Sequence, residues 1–494
     1  KAETPAVTPA VTPAKTETGP SLVPEKKSGG PADAIRETSA AAPSKADVAA
    51  TPADPAKEEK PAEAPAAPAE EEEDETPYAA DDMGREAKNE PGKKDFGLGA
   101  FIAPTTIDGI TYNQIRLTPD LKIGKFGMGL HLRWIFTSSV LYNNFEWNFG
   151  TWTNKDQKFS VSDMFADILD KFLYIRYGYK GEKVYIKLGN LDNVTLGHGY
   201  LVNRYANTFS YPAFRRIGNQ FDLNFPRWGI ETFHADWKLK DLRMYGLRLY
   251  IKPIKRTLFK KLAIGGTWVH DLNPTGRIHR PAVVGVAGDL DLPLINIKPK
   301  LFTLTFGVDV ARLGTIASNG SKLDNGMGLA AGPFGHFAKI MRYKAEYRRI
   351  TKGFTPEYFN FRYEGERATK PGKTFLDDLN FTEANGFFAE LGASIRKMFD
   401  ISANYQEQYK SVGFPVYSKL QGRLRLEKDL MKKIPKAPAI YGTFMYEKER
   451  VGDRIPFDTF TDQYTVITMN VFIEIKPKVE LNLRIQRTFV PDSS

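Results

Sequence analysis

The 494-residue chain has no cysteine, which excludes disulfides, a thiolate metal site and an N-terminal cysteine lipid anchor. No stretch approaches eighteen consecutive apolar residues, so a helical membrane protein is excluded as well. Histidine is scarce: His131, His198, His234, His270, His279 and His336 never stand four apart, so no two-histidine helical metal motif exists. Neither a Gly-x-Ser-x-Gly elbow nor a Gly-x4-Gly-Lys-Ser/Thr phosphate loop occurs. A triad assembled from distant strands stays open for His198, or for His270 beside Asp271, but the expectation is a chain that is not an enzyme, with no metal and no cofactor. The chain opens at Lys1 without methionine or a charged-then-apolar leader, as expected of a mature form whose signal peptide is gone.

What is present divides in two. Residues 1–95 hold 12 Lys+Arg against 21 Asp+Glu, 14 of the 32 prolines and a single aromatic, Tyr78. Residues 96–494 hold 57 basic and 38 acidic residues and 60 of the 61 aromatics. The first part repeats Thr-Pro-Ala and Ala-Pro-Ala units and has too few apolar side chains to offset the entropy of ordering, so it reads as a disordered tail spanning on the order of 50 Å. It resembles the proline-rich spacers with which periplasmic proteins reach peptidoglycan or another periplasmic or inner-membrane partner; a passive solubilising tail is the alternative. The basic body suggests nucleic acid by charge alone, but its cations alternate along strands instead of clustering, and no nucleic-acid partner is expected.

The body begins at Phe96, and its pattern is clearest in residues 478–489. There Val479, Leu481, Leu483, Ile485 and Phe489 share one parity, and Glu480, Asn482, Arg484, Gln486 and Thr488 the other, with Arg487 as the misfit. That is the period of a strand with one greasy and one wet face. A strand closed by an aromatic near a chain end resembles the terminal strand of bacterial outer-membrane barrels, which the barrel-assembly machinery reads. A soluble β-sandwich strand alternates in the same way. A strand is expected from Phe96 onward, and further strands at 110–117, 121–136, 173–179, 184–188, 228–237, 243–251, 262–269, 283–290, 301–310, 337–349, 387–396, 401–409, 419–427, 439–447 and 465–475. Lys180-Gly181-Glu182-Lys183 reads as a tight hairpin turn. Met164, Phe165, Ile168, Leu169 and Phe172 recur at helical spacing, which predicts one amphipathic helix over 161–172, in a loop or plugging a lumen.

Short turns alternate with the long connections 150–172, 191–227 and 351–384, as an up-and-down barrel requires. At roughly 22 residues per strand and connection, the body accommodates about 16–18 strands, wide enough for a water-filled lumen. Trp134, Tyr179, Trp228, Trp237, Tyr250 and Trp268 near strand ends fit interfacial girdles. The expected fold is therefore all-β: a large antiparallel up-and-down transmembrane β-barrel over 96–494, with the disordered tail 1–95.

With the strands placed, the body resembles outer-membrane porin-like barrels, including the large barrels of spirochaetes. The passages that prompt this are Leu188-Gly189-Asn190-Leu191-Asp192-Asn193-Val194-Thr195-Leu196-Gly197-His198-Gly199 and Phe354-Thr355-Pro356-Glu357-Tyr358-Phe359-Asn360, followed by Tyr363-Glu364 and Arg367. The resemblance implies a bacterial outer-membrane location, contact with its lipid and lipopolysaccharide, and passage of small hydrophilic solutes.

On the assigned strands the wet face carries Arg133, Arg176, Lys187, Arg248, Arg342, Lys344, Arg348, Arg396, Arg423, Arg425 and Arg484 against fewer carboxylates, among them Asp309, Glu346 and Glu390. Such a lumen favours anions; the alternatives are cross-strand pairs that stiffen the wall, and lipopolysaccharide phosphates at the rim. The connection 191–227 gathers His198, Arg204, Tyr205, Tyr211, Arg215 and Arg216, and is the candidate constriction if it folds inward. The connection 351–384 reads as a cap or a surface epitope. A channel for small, preferentially anionic solutes is the leading reading, and a non-conducting barrel that displays its long loops is the runner-up.

Overall fold

The computed structural model describes residues 94–488 apart from 108–109, 137–145, 148–160, 210–215, 238–243, 255–257, 273–281, 298–300, 317–321, 368–382, 396–397, 411–416, 428–429, 431–438, 452–459, 463 and 477–478. The expected tail up to residue 93, and Phe489, lie outside the described residues.

Among the described residues, 21 strand segments form a single sheet. Phe126–Leu130 and Leu132–Phe136 are one strand interrupted at His131, and Glu146–Trp147 and Phe172–Tyr177 share the next track, so nineteen strands make the ring. Consecutive strands pair antiparallel throughout. The ring closes where Lys94–Ile107 meets Val479–Thr488 in parallel, with Leu98 opposite Val479 and Phe101 opposite Asn482. An odd number of strands in an up-and-down chain leaves the first and last running the same way, so the closing pair has to be parallel.

Two strands have no counterpart in the sequence pattern: Gly218–Asn224, which lies inside the expected connection 191–227, and Lys322–Phe337. Gly218–Asn224 alternates only from Gln220 to Asn224, and Lys322–Phe337 sets Gly326, Gly328 and Gly332 opposite its apolar parity, so both carry a weaker signal than the longer strands of bulky residues. They take the ring to nineteen, one above the expected range. The predicted helix is present at Val161–Asp170, and the predicted hairpin turn has Gly181 at φ +91°, a conformation that costs glycine nothing.

Side chains sort by parity into two environments. Along Met341–Thr351, Lys344, Glu346, Arg348 and Ile350 are buried, while Tyr347 between them is 52% exposed. The terminal strand does the same: Asn482 is buried and Ile485 is 50% exposed. Leu249, Trp268, Val286, Val310, Phe387 and Leu391 lie exposed, whereas Arg176, Gln406, Gln421 and Glu447 are buried. This inverts the sorting of a protein whose outside is water. It is the sorting of a barrel whose outside is hydrocarbon, where closure leaves no strand edge unsatisfied. A soluble sandwich would need two layers sharing an apolar interior; here one closed sheet surrounds a polar one. Of the expected girdle residues, Trp228, Trp237 and Trp268 are exposed, but Tyr179 and Tyr250 are buried beneath the guanidinium groups of Arg176 and Arg248.

A charge on the outer face then tests the sorting. Leu391, 61% exposed and paired with Tyr343 and Ala403, is expected to cost about 2–4 kcal/mol on replacement by arginine if it sits at the bilayer midplane, and less toward an interface. The measurement is the denaturant midpoint of the lipid-reconstituted protein; an unchanged midpoint would mean that Leu391 faces water.

Candidate functional site

Residues 190–209 leave the strand Val184–Gly189 and turn into the ring instead of away from it. Gly189, at φ +130°, starts the turn, because a Cβ there would meet the carbonyl oxygen of Leu173 at 2.3 Å. Asn207 fastens the base: its side-chain oxygen accepts from the Leu191 amide at 2.9 Å, its own amide donates to the Leu191 carbonyl at 2.9 Å, and its side-chain nitrogen donates to the Ala235 carbonyl at 2.9 Å. Val194 and Tyr205 then exchange backbone hydrogen bonds at 2.9 Å, making a small hairpin with Gly197, His198 and Gly199 at its tip. Gly197 and Gly199 both have positive φ, so the tip reverses without strain.

The second long connection folds in against the first. Glu357 donates its amide to the Tyr200 carbonyl at 2.8 Å, Phe359 to Leu201 at 3.1 Å, and Asn203 to Phe359 at 3.0 Å. This short ladder joins two loops more than 150 residues apart in sequence. Their apolar side chains make a core inside a polar barrel: Leu191, Val194, Val202, Phe354 and Phe359 are fully buried. Room is made by small residues on the inner wall. A Cβ on Gly328 would stand 2.2 Å from the Phe354 ring and 2.5 Å from the Tyr200 hydroxyl.

Charge holds the pair in register with the wall. Glu364, in the short helix Tyr363–Glu366, accepts from the Tyr205 hydroxyl at 2.5 Å and forms ion pairs with Arg216 at 2.9 Å and Arg367 at 3.2 Å. Asp271 accepts from Arg367 at 2.7 Å and the Tyr363 hydroxyl at 2.9 Å. Burial, with Glu364 and Asp271 adjacent, pushes the Tyr205 and Tyr363 phenols well above their ordinary value, so both remain donors. Glu357 lies 3.4 Å from Arg348 and 3.6 Å from Lys419; burial would raise its carboxyl, but the two cations outweigh burial and hold it below the usual range. Removing one member of such a buried pair strands the other, so these contacts fix the position of the loops more than they add net stability.

At the tip, His198 lies between two neighbouring strands, with Nδ1 2.8 Å from Asp309 and Nε2 2.6 Å from Asp291. Its carbonyl accepts from Lys344 at 3.2 Å, and its ring meets Phe334 with centroids 5.4 Å apart.

Five of the ten described pore-lining candidates are engaged with carboxylates. Arg248 chelates Asp289 at 2.6 and 3.0 Å, Arg342 chelates Asp400 at 2.7 and 2.9 Å, Lys344 and Arg348 share Glu346, and Arg425 meets Glu427 at 2.6 Å. Arg176 and Lys187 are buried opposite each other, and Arg133 stands opposite Arg116 on the inner face. Arg396, Tyr211 and Arg215 lie outside the described residues. Arg423 and Arg484 lie beside the first loop, where Arg484 donates to the Thr208 carbonyl at 3.3 Å. With Arg204 of the first loop they line a cavity of about 60 Å³ between the loops and the last four strands, where Asp192 is the one carboxylate among the lining residues. Thr443, Asn470, Gln486, Phe209 and Phe361 complete much of its wall.

The sequence pattern does not single out Asp289, Asp291, Lys419 or Glu447, and it offers Asp271 only beside His270 and Glu357 only within the passage that prompts the resemblance. Their partners come from distant segments, and only the parity of Asp289 and Asp291 within one strand hinted at an inner face. Residues 354–367, expected as a cap or epitope, are turned toward the lumen, with Phe354 and Phe359 wholly buried.

No family model matches the chain, and no curated protein matches it. Solved structures that align with it include OprD of Pseudomonas aeruginosa, an outer membrane protein, at 8% identity over 79% of this chain and 93% of that one, TM-score 0.36. OccAB1 of Acinetobacter baumannii aligns at 8% identity over 82% and 99%, TM-score 0.36, and the outer membrane protein OmpT of Vibrio cholerae at 7% over 64% and 86%, TM-score 0.30. Likeness this distant says nothing of what the chain carries. By its own closure, its apolar outer face and its inward-folded loops, the chain has the architecture of an outer-membrane porin-like barrel.

Gly328→Leu probes the loop packing. Overfilling this contact is expected to cost about 1–3 kcal/mol, lowering the thermal midpoint and freeing the two loops to faster hydrogen exchange. A variant with unchanged exchange in residues 196–203 would mean that the loops are not seated against this wall.

Proposed function

We propose that the protein is a bacterial outer-membrane channel through which small hydrophilic solutes diffuse, with the two inward loops as its constriction. The observation that carries this reading is the cavity left against the last four strands, where Arg204, Arg423 and Arg484 outnumber the single carboxylate Asp192. A confined passage with that imbalance raises the local concentration of anions and depletes cations. Elsewhere the wall is balanced, with Arg248, Arg342 and Arg348 each facing a carboxylate, whereas at the cavity Arg204 also reaches Glu390 at 3.9 Å and the three arginines still outnumber Asp192 and Glu390. Passage then follows the arginine-bearing side, and selection comes from the width the loops leave and from these three side chains.

The surroundings follow from the same reading. Lipid and lipopolysaccharide contact the exposed apolar face, the barrel-assembly machinery reads the terminal strand, and the acidic, proline-rich residues 1–95 reach from the periplasmic side toward peptidoglycan or a periplasmic protein. Of the connection 351–384 offered for display, residues 354–367 are mostly buried, which does not support display there, and residues 368–382 lie outside the described residues.

Reconstitution into planar bilayers tests the channel. Stepwise conductance with a reversal potential biased toward anions is expected, and Arg423→Glu with Arg484→Glu should move that potential toward cations. A membrane that stays sealed at high protein load contradicts the channel; an unmoved reversal potential contradicts the site.

A further inference from the structure

The tip of the first loop is fastened to the wall by one imidazole. His198 Nδ1 faces Asp309 of the strand Phe302–Ile316, and Nε2 faces Asp291 of the strand Ala282–Ile297. A neutral imidazole has one N–H; only the imidazolium donates from both nitrogens. Both contacts, at 2.8 and 2.6 Å, are within hydrogen-bond range, and the ring is buried. The other charged groups around the tip are already committed to one another: Arg248 binds Asp289 and Glu231, Lys344 binds Glu346 and the His198 carbonyl, and the Gly197 amide lies 3.4 Å from Glu231. Phe334 closes the remaining side of the ring.

We propose that His198 is a proton-operated latch, which holds the constriction loop against Asp291 and Asp309 when charged and releases its tip when it loses the proton. On deprotonation one ring nitrogen presents a lone pair to a carboxylate oxygen, turning a charge-assisted hydrogen bond into a repulsion inside a buried site. The released segment is the hairpin 194–205, which bears Arg204 at the cavity, so its movement alters the width of the passage. Burial alone would lower the imidazole's affinity for a proton; the two aspartates outweigh burial and raise it well above the ordinary value. A raised folded-state value means that the stabilisation is fully present below about 6.5, the ordinary imidazole value. It is lost as pH climbs through the raised value, so the latch opens on the alkaline side.

Amide hydrogen exchange of residues 194–205 in the lipid-reconstituted protein, corrected for intrinsic rate, reads the latch without relying on conduction. Protection should fall about tenfold or more across the titration, since one unit of raised pKa is a tenfold bias between the two states. His198→Lys should keep the loop protected to higher pH, and His198→Gln should leave it unprotected at every pH. Asp291→Asn keeps the histidine and removes one partner, so its loosening should begin at lower pH. Protection that is flat with pH in the unaltered protein, a pH step that persists in His198→Gln, or an unmoved midpoint in Asp291→Asn each overturns the latch. The effect on passage rests on the channel reading and is measured separately as conductance rising with pH. Loosening of the loop in a membrane that stays sealed sustains the latch and defeats the channel.

Discussion

Everything in this molecule depends on the need to pair main-chain amides and carbonyls where no water can reach them. In hydrocarbon each unsatisfied group is expensive, so a sheet has to close on itself. The closing pair of this ring is parallel, the less stable arrangement per residue, and runs for few positions, from Leu98 opposite Val479 to Phe101 opposite Asn482. The neighbouring first hairpin, by contrast, pairs along its whole length, Lys94 to Ile107 against Ile123 to Ile110. Nineteen strands thus close the ring on a short parallel seam.

Closure sets the next problem, since a ring this wide surrounds more space than wall side chains fill. The chain fills it with its own connections, and the filling is built like a small domain turned inward. An apolar centre, Leu191, Val202, Phe354 and Phe359, packs against Ala311, Ala330 and Ile350 of the wall. Around it lies a polar shell whose charges are satisfied by wall residues: Glu364 and Asp271 on one side, Glu357 with Lys419 and Arg348 on another. The shell determines which part of the lumen stays open. Where ion pairs are dense the loops are held tight, and where the wall offers Thr443, Asn470 and Arg484 a cavity remains.

The ring was legible in the sequence because its strands alternate over long stretches. The face of residues 478–489 that reads as greasy carries exposed Leu483 and Ile485, and the wet face carries buried Asn482. Where alternation is short, as in Gly218–Asn224, or carried opposite glycines, as in Lys322–Phe337, the strand is harder to see. The inward course of residues 190–209 was readable from the arginines and tyrosines of the connection 191–227. Its companion 352–367 was not, because nothing in Phe354 to Arg367 says that Phe359 will pair with Leu201. The carboxylates that hold the loops were hidden for the same reason: Asp271 and Arg367, or Glu357 and Lys419, become partners only once the ring has closed.

The seam offers the most direct measurement, and a chain without cysteine makes it clean. Ala100 lies opposite Leu481 across the parallel closure. With both positions changed to cysteine, a short thiol-bridging reagent applied to the membrane-inserted protein should join them within one chain, in high yield and without denaturation. Recovery of two unlinked thiols, or of links formed only between chains, would mean that the first and last strands do not meet and that the sheet is open.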